Sequence, residues 1–269
     1  EVYHDHLVLP LANPLSSDMD VMRTTLLPGL LSSLSRNLRR QQSRVRLFET
    51  GVAFMQKDEL EEPERIAAVA AGNALPEQWG EASREVDFFD IKGDVQNLFA
   101  MRGDESAVVF EAAKLPWMHP GACAVIKMQD KASGWCGAVH PQVLKAFDIK
   151  KNTLAFEIDL EYLLHREVPY AKEISRFPSV RRDLALMLPN DVNYAQVRQC
   201  ITSAAGPFLE KVVVFDVYQG ENLKIGYKSL AIGLIFNNVS STLRDEDVDP
   251  LIETVVSQLE QRLGAQLRG

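Results

Sequence analysis

The feature that most restricts the fold is the stretch Phe177–Leu188, Phe-Pro-Ser-Val-Arg-Arg-Asp-Leu-Ala-Leu-Met-Leu. Pro178 and the charges of Arg181, Arg182 and Asp183 crowd its first half. Its second half alternates apolar residues with a period of two, the pattern of a strand with one buried face. The stretch therefore reads as the threshold of a domain. Behind it come an amphipathic helix over Tyr194–Ala205, stopped by Gly206-Pro207, then strands at Lys211–Tyr218 and Tyr227–Phe236. A second helix follows, capped by Thr242, striped by Val248, Leu251, Ile252, Val255, Leu259 and Leu263, and ended by Gly264 before a short terminal strand. This β-α-β-β-α-β order is that of a ferredoxin-like fold.

The chain ahead of the threshold is long enough for a second core. At 269 residues with 46% hydrophobic content, two domains are expected, and the opening at Glu1 with a strand over Val2–Pro10 reads as a piece of something longer. No apolar run approaches the roughly 20 residues that cross a bilayer, so no membrane role is expected. Cys123, Cys136 and Cys200 lack Cys-x-x-Cys spacing, which argues against a zinc site or a disulfide framework and fits a reducing cytoplasm. The net charge of -8 is uneven: residues 170–269 carry 11 Lys/Arg against 12 Asp/Glu, and residues 1–169 carry 18 against 25. Contact with nucleic acid must therefore rest on local patches.

In the first part a turn at Asn13-Pro14 leads to a short strand over Val21–Thr25. A helix over Leu26–Gln42 follows, with Pro28 in its first turn and an apolar stripe of Leu27, Leu30, Leu31 and Leu34. Arg36, Arg39 and Arg40 share its other face, as a phosphate contact or as a solvated helix end favoured by the dipole. Strands are expected at Val45–Met55 and Arg65–Gly72 around an acidic turn over Lys57–Glu64. A helix opens at Asp87, with Phe88, Ile91, Val95, Leu98 and Phe99 at helical spacing. Further strands are expected at Ala107–Glu111, Cys123–Gln129, Gly134–Val139 and Thr153–Ile158, with a helix from His140 to Phe147. There is no βαβ rhythm, so an antiparallel α+β domain is expected. Cys136 with His140 as a nucleophile and base is a weak pairing, because both His119-Pro120 and His140-Pro141 read as turns.

In the second domain, alternation assigns Leu184, Leu186, Leu188, Val213, Phe215, Val217, Leu230, Ile232, Leu234 and Phe236 to the face under the helices. The other face then holds Arg181, Asp183, Ala185, Asp216, Tyr218, Ser229, Ala231 and Gly233. An aromatic that stacks on a base and a carboxylate that matches the donors of guanine suit a splayed-out nucleotide. An ordinary exposed sheet face is the other reading.

Six separated, collinear runs carry a family resemblance: Met22–Leu31, Leu47–Gly51, Asp87–Gly93, Phe177–Ala185, Phe215–Gly220 and Thr242–Val248. Together they resemble the C-terminal part of the bacterial phenylalanyl-tRNA synthetase beta chain. The resemblance implies a catalytically inactive class II synthetase-like domain (1–168), a linker (169–176) and a ferredoxin-fold anticodon-binding domain (177–269). It further implies no catalytic residue and no metal in this chain, with tRNA as one partner and DNA excluded. The other implied partner is a catalytic alpha chain that uses ATP and magnesium in an alpha-two beta-two assembly. Arg181, Asp216, Tyr218 and Ser229 match the family's anticodon-contacting positions. The class signature Gly-x-Gly-x-x-Arg is replaced here by Glu157-Ile158-Asp159-Leu160-Glu161-Tyr162, in which Glu157, Asp159 and Tyr162 stand where a nucleotide needs room and a cation. Like charges would repel a triphosphate there. A ferredoxin-like module that binds a small metabolite is the alternative, since fold alone does not fix function.

Overall fold

A computed structural model describes residues 8–16, 19–56, 59–103, 108–164, 174–220 and 223–268. Contacts divide the chain into two compact units, Glu1–Pro169 and Tyr170–Gly269. The expected strand over residues 2–10 and the linker over 169–176 lie largely outside the described residues, as do parts of the acidic turn over 57–64.

The first unit contains α1 (Leu27–Arg39), β1 (Val45–Val52), β2 (Met55–Gln56), β3 (Leu60–Glu61) and β4 (Glu64–Ala71). It continues through α2 (Phe88–Ala100), β5 (Val108–Ala112), β6 (Met118–Met128), β7 (Lys131–Val139), α3 (Pro141–Ala146), β8 (Thr153–Asp159) and α4 (Glu161–Leu164). Six strands form one antiparallel sheet in the order β1-β4-β8-β7-β6-β5. Apolar residues cover both of its faces, and the pleat sorts them. Ala67, Val69 and Ala71 of β4, with Trp135 of β7 and Ala155 of β8, pack under α1. Ala70 of β4, with Cys136 of β7 and Leu154, Phe156 and Ile158 of β8, packs under α2. Strands buried on both sides explain the nearly continuous apolar runs in the sequence.

Helix α2 is started by Asp87, whose carboxylate accepts from the N–H groups of Phe89 and Asp90, while Asp90 accepts from the Asp87 N–H. The Arg84 guanidinium lies 2.7 Å from both Asp90 oxygens and holds that carboxyl down to about 2.

Glu157 is the fastening point of α1. On β8 it lies opposite Ala67, on the α1 face, and its side chain is 2% exposed. It accepts hydrogen bonds from the Thr25 hydroxyl and, at 3.0 Å, from the Leu26 N–H, just ahead of α1. Its other oxygen takes Arg65 Nη1 at 2.6 Å, and Arg65 Nε reaches Asp159 at 2.8 Å. Arg65 also donates to the Thr24 carbonyl. A carboxylate at a helix N-terminus is favoured by the dipole, and here it ties α1, β4 and β8 together.

The second unit contains β9 (Val180–Pro189), α5 (Tyr194–Ala204), β10 (Leu209–Tyr218), β11 (Tyr227–Phe236), α6 (Asp245–Leu263) and β12 (Gln266–Leu267). Its sheet is antiparallel in the order β10-β11-β9-β12, with α5 and α6 packed on one face over Leu184, Leu186, Leu188, Ile232, Leu234 and Phe236. This is the expected ferredoxin-like arrangement. Arg182 points to the helix side, reaching Asp245 and Asp249 of α6.

Several sequence expectations are corrected. Val21–Thr25 is no strand, because only an isolated bridge joins Val21 to Pro10. His119 and Pro120 belong to an irregular stretch of β6 rather than a turn. Arg244, not Thr242, is the N-cap of α6, and its N–H donates to Asp247. Val213, Phe215 and Val217 do not form a buried row on β10. Val212 and Val214 pack on the core instead, and Phe215 and Val217 are 51% and 57% exposed.

Glu157→Ala should be strongly destabilising, by about 3–5 kcal/mol, because it removes one partner from a buried ion pair and the acceptor at the start of α1. Urea unfolding followed by circular dichroism measures this, and a loss below about 1 kcal/mol would show that Glu157 does not fasten α1.

Candidate nucleic-acid interface

With α5 and α6 on one face of the second unit's sheet, the opposite face is defined by register. Cross-strand partners share a face, so the residues facing Ser229, Ala231 and Gly233 of β11 belong to it. From β9 these are Met187, Ala185 and Asp183. From β10 they are Tyr218 opposite Ser229, Asp216 opposite Ala231 and Val213 opposite Gly233.

The step from Val213 to Asp216 breaks the period of two. Val214 pairs with Ile232 and Asp216 with Ala231, so Phe215 is left over as the extra residue of a bulge. If Phe215 took an ordinary place in the ladder, the parity that buries Val212 and Val214 would turn Asp216 and Tyr218 toward the helices. The bulge sends them to the open face and brings Phe215 there as well. Phe215 is the site residue that the alternation argument misplaced. The signal for it was weak, because the run Val212-Val213-Val214-Phe215 is apolar in both parities.

The structure brings Arg181, Asp216, Tyr218 and Ser229 to one face, in different states. Asp216 is exposed and has no hydrogen-bond or ion-pair partner among the described residues. Tyr218 is partly exposed and lies across the backbone of Gly220, where a Cβ would stand 2.3 Å from its hydroxyl. Only a residue without a side chain lets the ring settle there. Ser229 is 6% exposed, flanked by Tyr218 and Met187. A ligand reaches its hydroxyl only when the covering side chains shift.

Arg181 is half-exposed but engaged. Its Nε donates to Asp183 at 2.7 Å, and its guanidinium carbon stands 5.3 Å from the centre of the Phe215 ring. The guanidinium reaches that ring by lying across Gly233, where a Cβ would meet Arg181 Nε at 3.0 Å.

Glu157 and Asp159 of the first unit lie together on the α1 side of the sheet, but not as expected, and Tyr162 packs on the α2 side. Both carboxylates are bound to Arg65, so repulsion of phosphate by unpaired anions does not describe the place. What opposes a nucleotide is occupancy: Glu157 is buried under the start of α1, and its oxygens are taken by internal donors. Tyr162 sits on the one-turn α4, partly buried against the α2-side core. Burial, with Glu161 and Asp159 nearby, raises its hydroxyl above the usual phenol range. The residues do not fit ATP.

The thiols offer no nucleophile. Cys136 is fully buried, and burial pushes its thiol up to about 12. His140 is the N-cap of α3, its Nδ1 accepting from the Gln142 N–H. Among the described residues no group of three or more His, Cys, Asp or Glu is placed to hold a metal, and no helix is long and apolar enough to cross a membrane.

Comparison with known proteins bears on both units. Residues 3–160 match the family model described as the phenylalanyl tRNA synthetase beta chain CLM domain, and residues 175–268 match the ferredoxin-fold anticodon binding domain. The chain is 44% identical over 265 residues to the phenylalanine–tRNA ligase beta subunit of Xanthomonas oryzae pv. oryzae (strain MAFF 311018). It is 42% identical over 262 residues to that of Xylella fastidiosa (strain Temecula1) and 43% identical over 261 residues to that of Pseudomonas putida (strain KT2440). These alignments cover 96–97% of this chain and 33% of each relative, so the chain spans about a third of their length. With the fold, the open sheet face and both family models in agreement, the chain belongs to the phenylalanyl-tRNA synthetase beta chain family.

Proposed function

We propose that this chain is the C-terminal region of a phenylalanine–tRNA ligase beta subunit. In this reading the second unit reads the tRNA anticodon, and the first unit braces a catalytic alpha chain that joins phenylalanine to tRNA in the cytoplasm with ATP and magnesium. The assembly is an alpha-two beta-two heterotetramer. The observation that carries the reading is the unpartnered Asp216 carboxylate beside the exposed Tyr218 ring on a sheet face the helices leave open. One matched family model is a phenylalanyl tRNA synthetase beta chain domain and the other an anticodon binding domain, which favours RNA over a small metabolite as the ligand.

The first anticodon base of phenylalanine tRNA is guanine. Tyr218 stacks on it, and Asp216 accepts from its N1–H and N2 amino group, donors that adenine does not present together. Ser229 adds a hydrogen bond once Tyr218 moves from its resting position, and Arg181 contacts the RNA at the rim. The bracing role draws on unburied aromatic surface in the first unit. β1 ends the sheet with Phe48 largely exposed, and Phe89 is exposed at the start of α2. Exposed aromatics of this kind mark surfaces that partners cover.

Binding of anticodon stem-loops to the reconstituted full-length enzyme tests the anticodon reading. Tyr218→Ala should cost about 1–3 kcal/mol whichever base is present, because stacking tolerates any base. Asp216→Ala should cost about 1–3 kcal/mol with guanine at the first position and far less with adenine. Equal weakening of both ligands by Asp216→Ala would remove the carboxylate from guanine recognition.

The occupied Glu157–Arg65 site generates a separate expectation for the first unit. Millimolar ATP should leave the melting temperature of the isolated full-length beta chain unchanged, and a saturable rise at micromolar ATP would overturn the non-catalytic reading.

A further inference from the structure

We infer that Phe215 and Arg181 form a second stacking platform on the open face, built to hold an unpaired base next to or one beyond the guanine. The inference rests on the anticodon reading above and goes beyond it, adding a base-binding subsite with its own residues.

Three observations carry it. The bulge leaves Phe215 outside the ladder and half-exposed, between the core-facing Val214 and the open-face Asp216. Arg181 crosses the sheet to that ring, reaching 5.3 Å from its centre, and Asp183 fixes its Nε at 2.7 Å. Finally, Gly233 gives the guanidinium its bed, since a Cβ there would stand 3.0 Å from both Arg181 Nε and Asp183 Oδ1.

An exposed ion pair of this kind adds little stability. What it does is hold a planar cation in one place beside an aromatic ring. Both surfaces stack on bases irrespective of sequence, and Arg adds a cation–π attraction. The platform lies two to four residues along β11 from Ser229, about 7–13 Å, a distance that a splayed strand covers in one or two nucleotides. With its charge partly met by Asp183, Arg181 acts here as a flat surface more than as a phosphate clamp.

The test uses the full-length beta subunit assembled with its catalytic partner, and anticodon stem-loops that are intact or abasic at the second or third anticodon position. Phe215→Leu keeps an apolar side chain and removes the ring. It should weaken the intact loop about tenfold, the order expected for one lost base stack, and leave one of the two abasic loops unaffected. Gly233→Val, which dislodges the guanidinium, should reproduce the loss given by Arg181→Gln. Equal weakening of intact and both abasic loops by Phe215→Leu, or no weakening of any, would overturn the platform. Tyr218→Ala, measured alongside, separates the two readings. If it weakens binding while Phe215→Leu does not, the platform fails and the guanine reading stands. If neither variant matters, both fail.

Discussion

One extra residue in an edge strand decides what the small sheet can do. An antiparallel strand alternates strictly, so the burial of Val212 and Val214 under the helices would commit every second residue after them to the same core. Phe215 breaks the count. Past it, Asp216 faces Ala231 and Tyr218 faces Ser229 on the open side, and Val217 is carried to the helix side opposite Leu230. A carboxylate and an aromatic with a polar tip would be costly in the core, and on the open face they become a surface for a flat ligand with paired donors. Bulges bend a strand and re-aim side chains, and here the re-aimed set is the one on which the proposed function depends.

The first unit is organised by a different constraint, a buried charge that must be fully paired. Glu157 sits in a strand whose neighbouring residues Leu154, Ala155, Phe156 and Ile158 are apolar on both faces, and it persists there because Arg65, Thr25 and the Leu26 N–H satisfy it. The result is a rigid joint between α1 and two central strands of the sheet. A site whose acidic and basic groups are already matched to one another has nothing to offer a triphosphate. The inactivity proposed for this unit and the anchoring of its first helix have the same physical origin.

Much of the architecture was legible because it is written in short periods. Tyr227–Phe236 has the bounds expected from alternation, and the helices over 27–39, 88–100 and 245–263 follow their apolar stripes to within a few residues. Of the candidate site, Asp216, Tyr218, Ser229 and Arg181 were gathered correctly onto one face by parity. The grouping of β10 itself was wrong, since an apolar run in both parities hides which half is buried and where a residue is inserted. Phe215 was lost for that reason. Arg65 was invisible as the partner of Glu157, because 92 positions separate them and no local pattern joins residues on distant strands. The engagement of Arg181 with Phe215 was equally unreadable, since it depends on the missing side chain at Gly233.

The central claim is that Asp216 reads the donor edge of guanine, and a thermodynamic cycle tests it most directly. Inosine in place of guanine at the first anticodon position deletes only the N2 amino group. Binding of both stem-loops to the full-length enzyme, with and without Asp216→Ala, yields the coupling between that group and the carboxylate. The account expects inosine to cost the wild-type enzyme about 1.5–3 kcal/mol, the range of a hydrogen bond to a charged group, and to cost the variant almost nothing. Additive losses, with inosine equally harmful to both proteins, would contradict it.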